Sequence, residues 1–173
     1  IYYRDVIEMA NTIKKINPAI HVVAGGNHVS SYWEHVLKNR AIDIAVIGEG
    51  EETFLELCNK LLAGEGIEKV NGIAHRTAGG EVVKNNPREL INDLDEIPHP
   101  ALDMVDYMKY LGGGNPYSMR KIAAPVISSR GCPCNCVYCT VKAVWGRTWR
   151  GRSPKDVVDE IESIKKRYHI TEF

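Results

Sequence analysis

The chain has 173 residues, 22 basic and 22 acidic side chains and a hydrophobic fraction of 44%. This is the composition of a globular protein with a packed core, large enough for one ordinary domain or two small ones. Its balanced charge supplies no field to gather nucleic acid or an acidic membrane surface, and no apolar run approaches the roughly 20 residues of a membrane span, so neither partner is expected. The opening Ile1-Tyr2-Tyr3-Arg4-Asp5 has no initiator Met and no signal-peptide organisation. Of the five cysteines, four fall between Cys132 and Cys139 and Cys58 stands apart. Such clustering suits metal or redox chemistry in a reducing cytoplasm rather than a disulfide framework.

Apolar positions 6, 9, 10, 13 and 16 predict a helix over 5–16, ended by Asn17-Pro18 because a residue before proline is driven out of the α region. Residues 20–24 read as a buried parallel strand, followed by Gly25-Gly26. A helix capped by Ser30 or Ser31 is expected to run to about Lys38. A second buried strand over 42–47 ends in Gly48-Glu49-Gly50, and a helix over 51–63 has acidic residues in its first turn and Gly64 past its end. Residues 70–76 and 81–84 have the pattern of a hairpin joined through Ala78-Gly79-Gly80. Alternation of this kind predicts an open α/β sheet with helices on both faces.

Residues 85–120 change character: Asn85-Asn86-Pro87, Ile97-Pro98-His99-Pro100 and Gly112-Gly113-Gly114-Asn115-Pro116 are turn-forming, and the stretch reads as a connector. Residues 123–129 form a candidate strand despite Pro125. Ser153-Pro154-Lys155-Asp156 opens a last helix with an N-cap serine and a proline in the first turn, running to about Tyr168 with Val157, Ile161, Ile164 and Tyr168 on one face. A further strand is expected near Phe173.

The chemistry concentrates in Ser129-Arg130-Gly131-Cys132-Pro133-Cys134-Asn135-Cys136-Val137-Tyr138-Cys139. Three thiolates spaced Cys-x-x-x-Cys-x-x-Cys at 132, 136 and 139 can hold three corners of a [4Fe–4S] cube and leave one iron open to a reactant. A structural zinc site and a redox dithiol are the alternatives, since Cys134 adds a fourth thiol; a second Cys-x-x-Cys knuckle for zinc is missing, and Cys136-x-x-Cys139 lacks a thioredoxin-like setting.

The loop closely resembles the signature of the radical S-adenosylmethionine superfamily, including the preceding Arg130-Gly131 and Tyr138 before the last cysteine. The resemblance implies that Cys132, Cys136 and Cys139 ligate a [4Fe–4S] cluster whose open iron chelates S-adenosylmethionine. It implies Tyr138 as a cofactor-binding residue, and reductive cleavage of the sulfonium to a 5′-deoxyadenosyl radical. Cys134 stands where the family more often has a bulky apolar residue, and it is not expected to be a ligand. Val22-Val23-Ala24-Gly25-Gly26-Asn27-His28 and Val46-Ile47-Gly48-Glu49-Gly50-Glu51, with the connector Leu94-Asp95-Glu96-Ile97-Pro98-His99-Pro100-Ala101, are similar to the subfamily that joins a cobalamin-binding domain to the radical domain. That subfamily includes methyltransferases and the anaerobic magnesium-protoporphyrin ester cyclase.

The implied organisation is a partial Rossmann-like, cobalamin-binding type of parallel sheet over 1–84, a connector over 85–120, and the first βα unit of a radical (β/α) barrel over 121–173. Gly25, Gly26, Gly48 and Gly50 border the cobalamin cleft. The family's Asp-x-His-x-x-Gly segment is not in the chain, which opens on a helix. It is therefore expected to be a fragment truncated at both ends, inactive alone and prone to self-association along uncovered strand edges. The parent enzyme would act on a small molecule and draw electrons from a donor such as a flavodoxin or ferredoxin. Outside these motifs, His28 reads as a loop histidine and Cys58 as a core residue. Glu49, Glu51 and Glu52 read as a helix-start cluster, and Trp145, Arg147, Trp149, Arg150 and Arg152 as an exposed basic loop.

Overall fold

The computed structural model describes residues 3–111 and 122–173; the predicted Gly112-Gly113-Gly114 linker lies outside them. The alternation of apolar residues in three strands sorts the N-terminal core into two faces. Strand β1 (Val23–Ala24) pairs in parallel with β2 (Ile44–Val46), Val23 opposite Ile44 and Ala24 opposite Ala45. β3 (Ile73–Arg76) then lies antiparallel to β2, and β4 (Val82–Lys84) antiparallel to β3, giving the order β1-β2-β3-β4. Ala24, Ala45 and Ala74 face helices α1 (Tyr3–Ile16) and α2 (Asn27–Val36), packing with Ala10, Val29, Val36, Leu37 and Ile42. Ile44, Val46 and Ile73 face the other way, against Leu57 and Leu61 of α3 (Glu51–Leu62) and against Val70. Small residues on one face and β-branched ones on the other let helices seat on both, as expected of a Rossmann-like sheet. The mixed sheet has its parallel rungs at β1–β2 and its hairpin at β3–β4. There Thr77 N–H donates to Glu81 O at 2.8 Å and Gly80 N–H to Thr77 O at 2.9 Å.

Several elements depart from expectation for local reasons. The strand expected over 20–24 shrinks to Val23–Ala24. The Val22 N–H goes to the Asp43 carboxylate at 2.7 Å rather than to a ladder, and Lys14 Nζ takes the carbonyl of Ile20 at 2.7 Å. Helix α2 starts at Asn27 without a serine cap, because Gly26 at φ +94° turns the chain directly into it. Ser30 then lies inside the helix, its N–H donating to Gly26 O at 2.9 Å. Cys58 is half-buried on α3 and lies outside the core clusters.

Contacts among the described residues gather the chain into two compact units, 1–91 with 131–148, and 92–130 with 149–173. In the second, three 3₁₀ turns (Leu94–Glu96, Leu102–Met104 and Tyr107–Tyr110) lie within the stretch expected to be a turn-forming connector. Of the strand expected over 123–129 only Ser129 stays in a ladder, as β5 (Ser129–Arg130) against β6 (Arg150–Gly151). Pro125 has no N–H to donate. Ala124 N–H instead reaches Glu172 O at 3.0 Å, joining the segment to the C-terminal residues. Helix α5 (Pro154–Tyr168) has the expected cap, Asp156 N–H donating to Ser153 Oγ at 3.2 Å, and stops at His169, which is left-handed at φ 56°. Its Ile164 joins Tyr107, Leu111, Ala124 and Ile170 in a separate core.

Candidate cofactor site

Parallel pairing sets the carboxyl ends of β1 and β2 side by side, the edge at which open α/β sheets bind ligands. Both chain turns there are glycines, and both close over Val46. A methyl on Gly25 would lie 3.7 Å from Val46 Cβ, and one on Gly50 would lie 3.7 Å from Val46 Cγ1. Gly26 at φ +94° has open space beside it, and Gly48 takes φ +86°, a conformation that strains any side-chain-bearing residue. The edge therefore presents backbone rather than side chains, a surface that a bulky planar ligand can approach closely. Two helices begin there. α3 has Glu51 and Glu52 in its first turn, whereas α2 has no acidic residue in its own, so only α2 keeps the positive end of its dipole unopposed.

The Gly48 turn is braced. Its N–H donates to Ser30 Oγ at 3.1 Å, and Ser30 is buried in α2. Glu49 is also buried, 6% exposed, and its carboxylate accepts the Ile91 N–H at 2.9 Å. Glu49 thus fastens the end of the α/β segment rather than lining a cleft, and Glu51 and Glu52 remain exposed at the helix start. His28 is in the first turn of α2 rather than in a loop, its ring 4.8 Å from that of Tyr3 and 5.4 Å from that of Tyr32. An open groove of about 590 Å³ runs elsewhere, along α3 between Glu52, Leu55, Glu56, Lys60 and Arg88; it does not touch the glycine turns.

The cysteine loop lies in the same compact unit as this edge. Its neck is tight: Gly131 takes φ +83°, and a methyl there would fall 2.0 Å from Thr148 O. Cys132 N–H donates to Gly146 O at 3.4 Å, and Cys139 N–H donates to Cys136 O at 3.1 Å, closing a tight turn between the last two cysteines. Cys132 and Cys139 are half-buried while Cys134 and Cys136 are exposed. Cys134 lies against Cys132, which accepts its hydrogen bond; that bond first, and then the charges of Cys132, Cys136 and Cys139, push the Cys134 thiol up. All four thiols therefore share one small region, and their soft sulfur donors suit iron–sulfur ligation. Among the described residues no three His, Cys, Asp or Glu side chains form a single-ion cage; a cube takes one thiolate per iron and so needs its cysteines spread. Val137 and Tyr138 are 100% and 85% exposed, so Tyr138 lies beside the thiols with its ring in solvent.

After the loop comes a short helix absent from the sequence-based expectation, α4 (Val141–Trp145), whose five residues are too few to show a period. It packs on α2 with Val144 buried. The stretch expected to be an exposed basic loop is only partly so. Arg147 and Trp149 are exposed, but Arg150 is buried, and the half-buried Arg152 pairs with Asp156 at 2.6 Å and with Glu160.

Residues 2–58 match the B12 binding domain family. The chain is 37% identical over 169 residues to an uncharacterized methyltransferase of Pyrococcus horikoshii, covering 97% of this chain and 35% of that protein. It is also 37% identical over 161 residues to the anaerobic magnesium-protoporphyrin IX monomethyl ester cyclase of Rubrivivax gelatinosus, covering 91% of this chain and 28% of that protein. The chain thus spans about a third of the length of the curated relatives it matches. In fold it is similar to the cobalamin-dependent S-adenosylmethionine radical enzyme OxsB with aqua-cobalamin bound, at a TM-score of 0.78 and 24% identity, over 98% of this chain and 23% of that one. The chain thus carries a segment of the B12 binding domain family, and over nearly its whole length it is similar to a methyltransferase and to an anaerobic magnesium-protoporphyrin IX monomethyl ester cyclase.

Proposed function

We propose that this chain contributes the second half of a cobalamin cleft and the cluster-binding loop of an enzyme that couples reductive cleavage of S-adenosylmethionine to methyl transfer or cyclisation on a small molecule. The observation that carries the reading is the joint placement, within one compact unit, of the Gly25-Gly26 and Gly48-x-Gly50 turns and of the thiols of Cys132, Cys136 and Cys139. When bound, the cluster would supply one electron to the sulfonium and release a carbon radical able to abstract hydrogen from substrate.

The residues of the chain have more modest tasks. Cys132, Cys136 and Cys139 would hold three irons as thiolates, and the tight neck at Gly131 limits where Cys132 can go. Tyr138, unpacked on the protein side, offers its ring to a cofactor at the open corner. Gly25, Gly26, Gly48 and Gly50 keep the cleft edge free of side chains, so that a corrin can lie close to backbone. The first turn of α2, with no acidic residue, suits the phosphodiester of a nucleotide tail. A one-electron donor such as a flavodoxin or ferredoxin completes the cycle, in a reducing cytoplasm.

Anaerobic reconstitution with iron and sulfide tests the cluster. About four irons per chain in the wild type and in Cys134→Ala, with almost none in Cys136→Ala, is the expected result. A chain that takes zinc, requires Cys134 and builds no labile sulfide would instead be a structural zinc knob, and the radical reading would fall.

A further inference from the structure

We propose that the two cofactor regions are energetically coupled through the contact of α2 and the Gly48 turn with α4, and that Val144 is a positioning residue in that coupling. The inference rests on the cobalamin and cluster reading above and adds that occupancy of one region alters affinity at the other.

The path consists of short, packed steps. The turn at Gly25-Gly26 is the start of α2, since Ser30 N–H bonds Gly26 O at 2.9 Å. The buried hydroxyl of that same Ser30 accepts the Gly48 N–H at 3.1 Å, so one residue ties the two glycine turns of the proposed cleft together. The Gly48 turn also meets the other side: the Cβ direction of Gly48 points at the carbonyl oxygen of Val144, 3.8 Å from where a methyl would stand. The Val144 side chain is 7% exposed in the seat of α4 on α2. From α4 the chain passes at once into Gly146, whose φ is +68° and whose free side is filled by Leu90; a methyl there would lie 2.6 Å from Leu90 Cδ1. Gly146 O faces the Cys132 N–H at 3.4 Å, and Gly131 closes on Thr148 O.

A displacement of either glycine turn therefore has little free volume in which to be absorbed before it reaches Cys132. Close-packed interiors transmit such shifts because they have few voids to take them up. Thermodynamics makes the effect mutual: if a cluster on the thiols favours one position of α4, it changes cobalamin affinity by the same factor by which cobalamin changes cluster affinity.

The test is a titration of hydroxocobalamin into the protein, followed by absorbance, with and without the reconstituted cluster. The expected result is an affinity ratio of about 5-fold or more between the two forms of the wild type. In Val144→Ala the ratio should fall toward equality, while affinity in the cluster-free form stays as in the wild type. Far-UV circular dichroism confirms that the variant is folded, and the wild-type ratio needs no variant at all. Equal affinities in the two wild-type forms overturn the coupling while cobalamin binding itself still stands, and a wild-type ratio that Val144→Ala leaves unchanged overturns the role given to Val144. No binding in either form overturns the cobalamin reading and the coupling with it.

Discussion

His75 lies on β3 with 4% of its surface exposed, and its Nε2 is buried with no hydrogen-bond partner among the described residues. A polar atom in that state costs about 1–3 kcal/mol relative to a satisfied one. His75→Leu, of similar bulk, should therefore stabilise the chain by about 1 kcal/mol, read as a higher urea midpoint at unchanged slope. Gly131 is the opposite case. Its φ of +83° and the 2.0 Å approach of Thr148 O leave no place for a methyl. Gly131→Ala should lower the unfolding midpoint by the equivalent of about 1–3 kcal/mol and reduce the iron and sulfide held after reconstitution. The two residues differ in what the sequence reveals. Gly131 is flagged by its place before Cys132, whereas nothing in the neighbours of His75 says that its ring nitrogen will be buried without a partner. Ser30 is a third kind: its type and its place in a helix-opening stretch suggest a cap, but its hydroxyl is spent on Gly48, 18 residues away.

At the scale of elements, α5 is fastened by charge as well as by its cap. Asp156 accepts from Arg152 at 2.6 Å and meets His99 Nε2 at 2.9 Å, and those two partners, Arg152 first, hold its carboxyl below the ordinary carboxylate value. A carboxylate whose pKa is lower folded than unfolded adds stability that is present above the unfolded value, 3.8, and is lost as pH falls through the folded one. Between neutral pH and pH 3.8 the contribution should stay intact, and acid unfolding should steepen below it. In Asp156→Asn that part of the pH dependence should vanish, a comparison that fluorescence-detected acid titration makes directly. The Ser153-Pro154-x-Asp156 start of this helix is legible because capping is local. The pairing of Arg152 with Glu160 and its bond to Ile127 O at 2.9 Å are not, since both partners come from outside the run of arginines and tryptophans that resembles a basic loop. The strand over 20–24 misleads for a related reason: its apolar content is right, but a lysine from α1 and an aspartate 21 residues away claim the backbone groups a ladder would need.

For the whole molecule, the reading makes stability depend on ligand. A ligand that binds only the folded chain stabilises it by mass action, by about 2.7 kcal/mol at a hundredfold excess over its dissociation constant. Hydroxocobalamin at that level should raise the thermal midpoint by several degrees, and a midpoint unmoved at saturating concentrations would count against the cleft. The doubly covered sheet and the cysteine loop were legible in advance because each follows from a local pattern, glycines after apolar runs and thiols at fixed spacing. The partnership of residues 131–148 with residues 1–91 was not, because it joins segments some forty residues apart that share no pattern. That partnership makes the chain a candidate for reassembly from pieces. Severed between Ile91 and Asn92, it would become two polypeptides, each carrying part of the same compact unit, since residues 131–148 would travel with the second piece. Co-expressed, the halves should find each other without a linker, and the recovered complex would report on the docking of the cysteine loop as a binding constant rather than as a folding equilibrium.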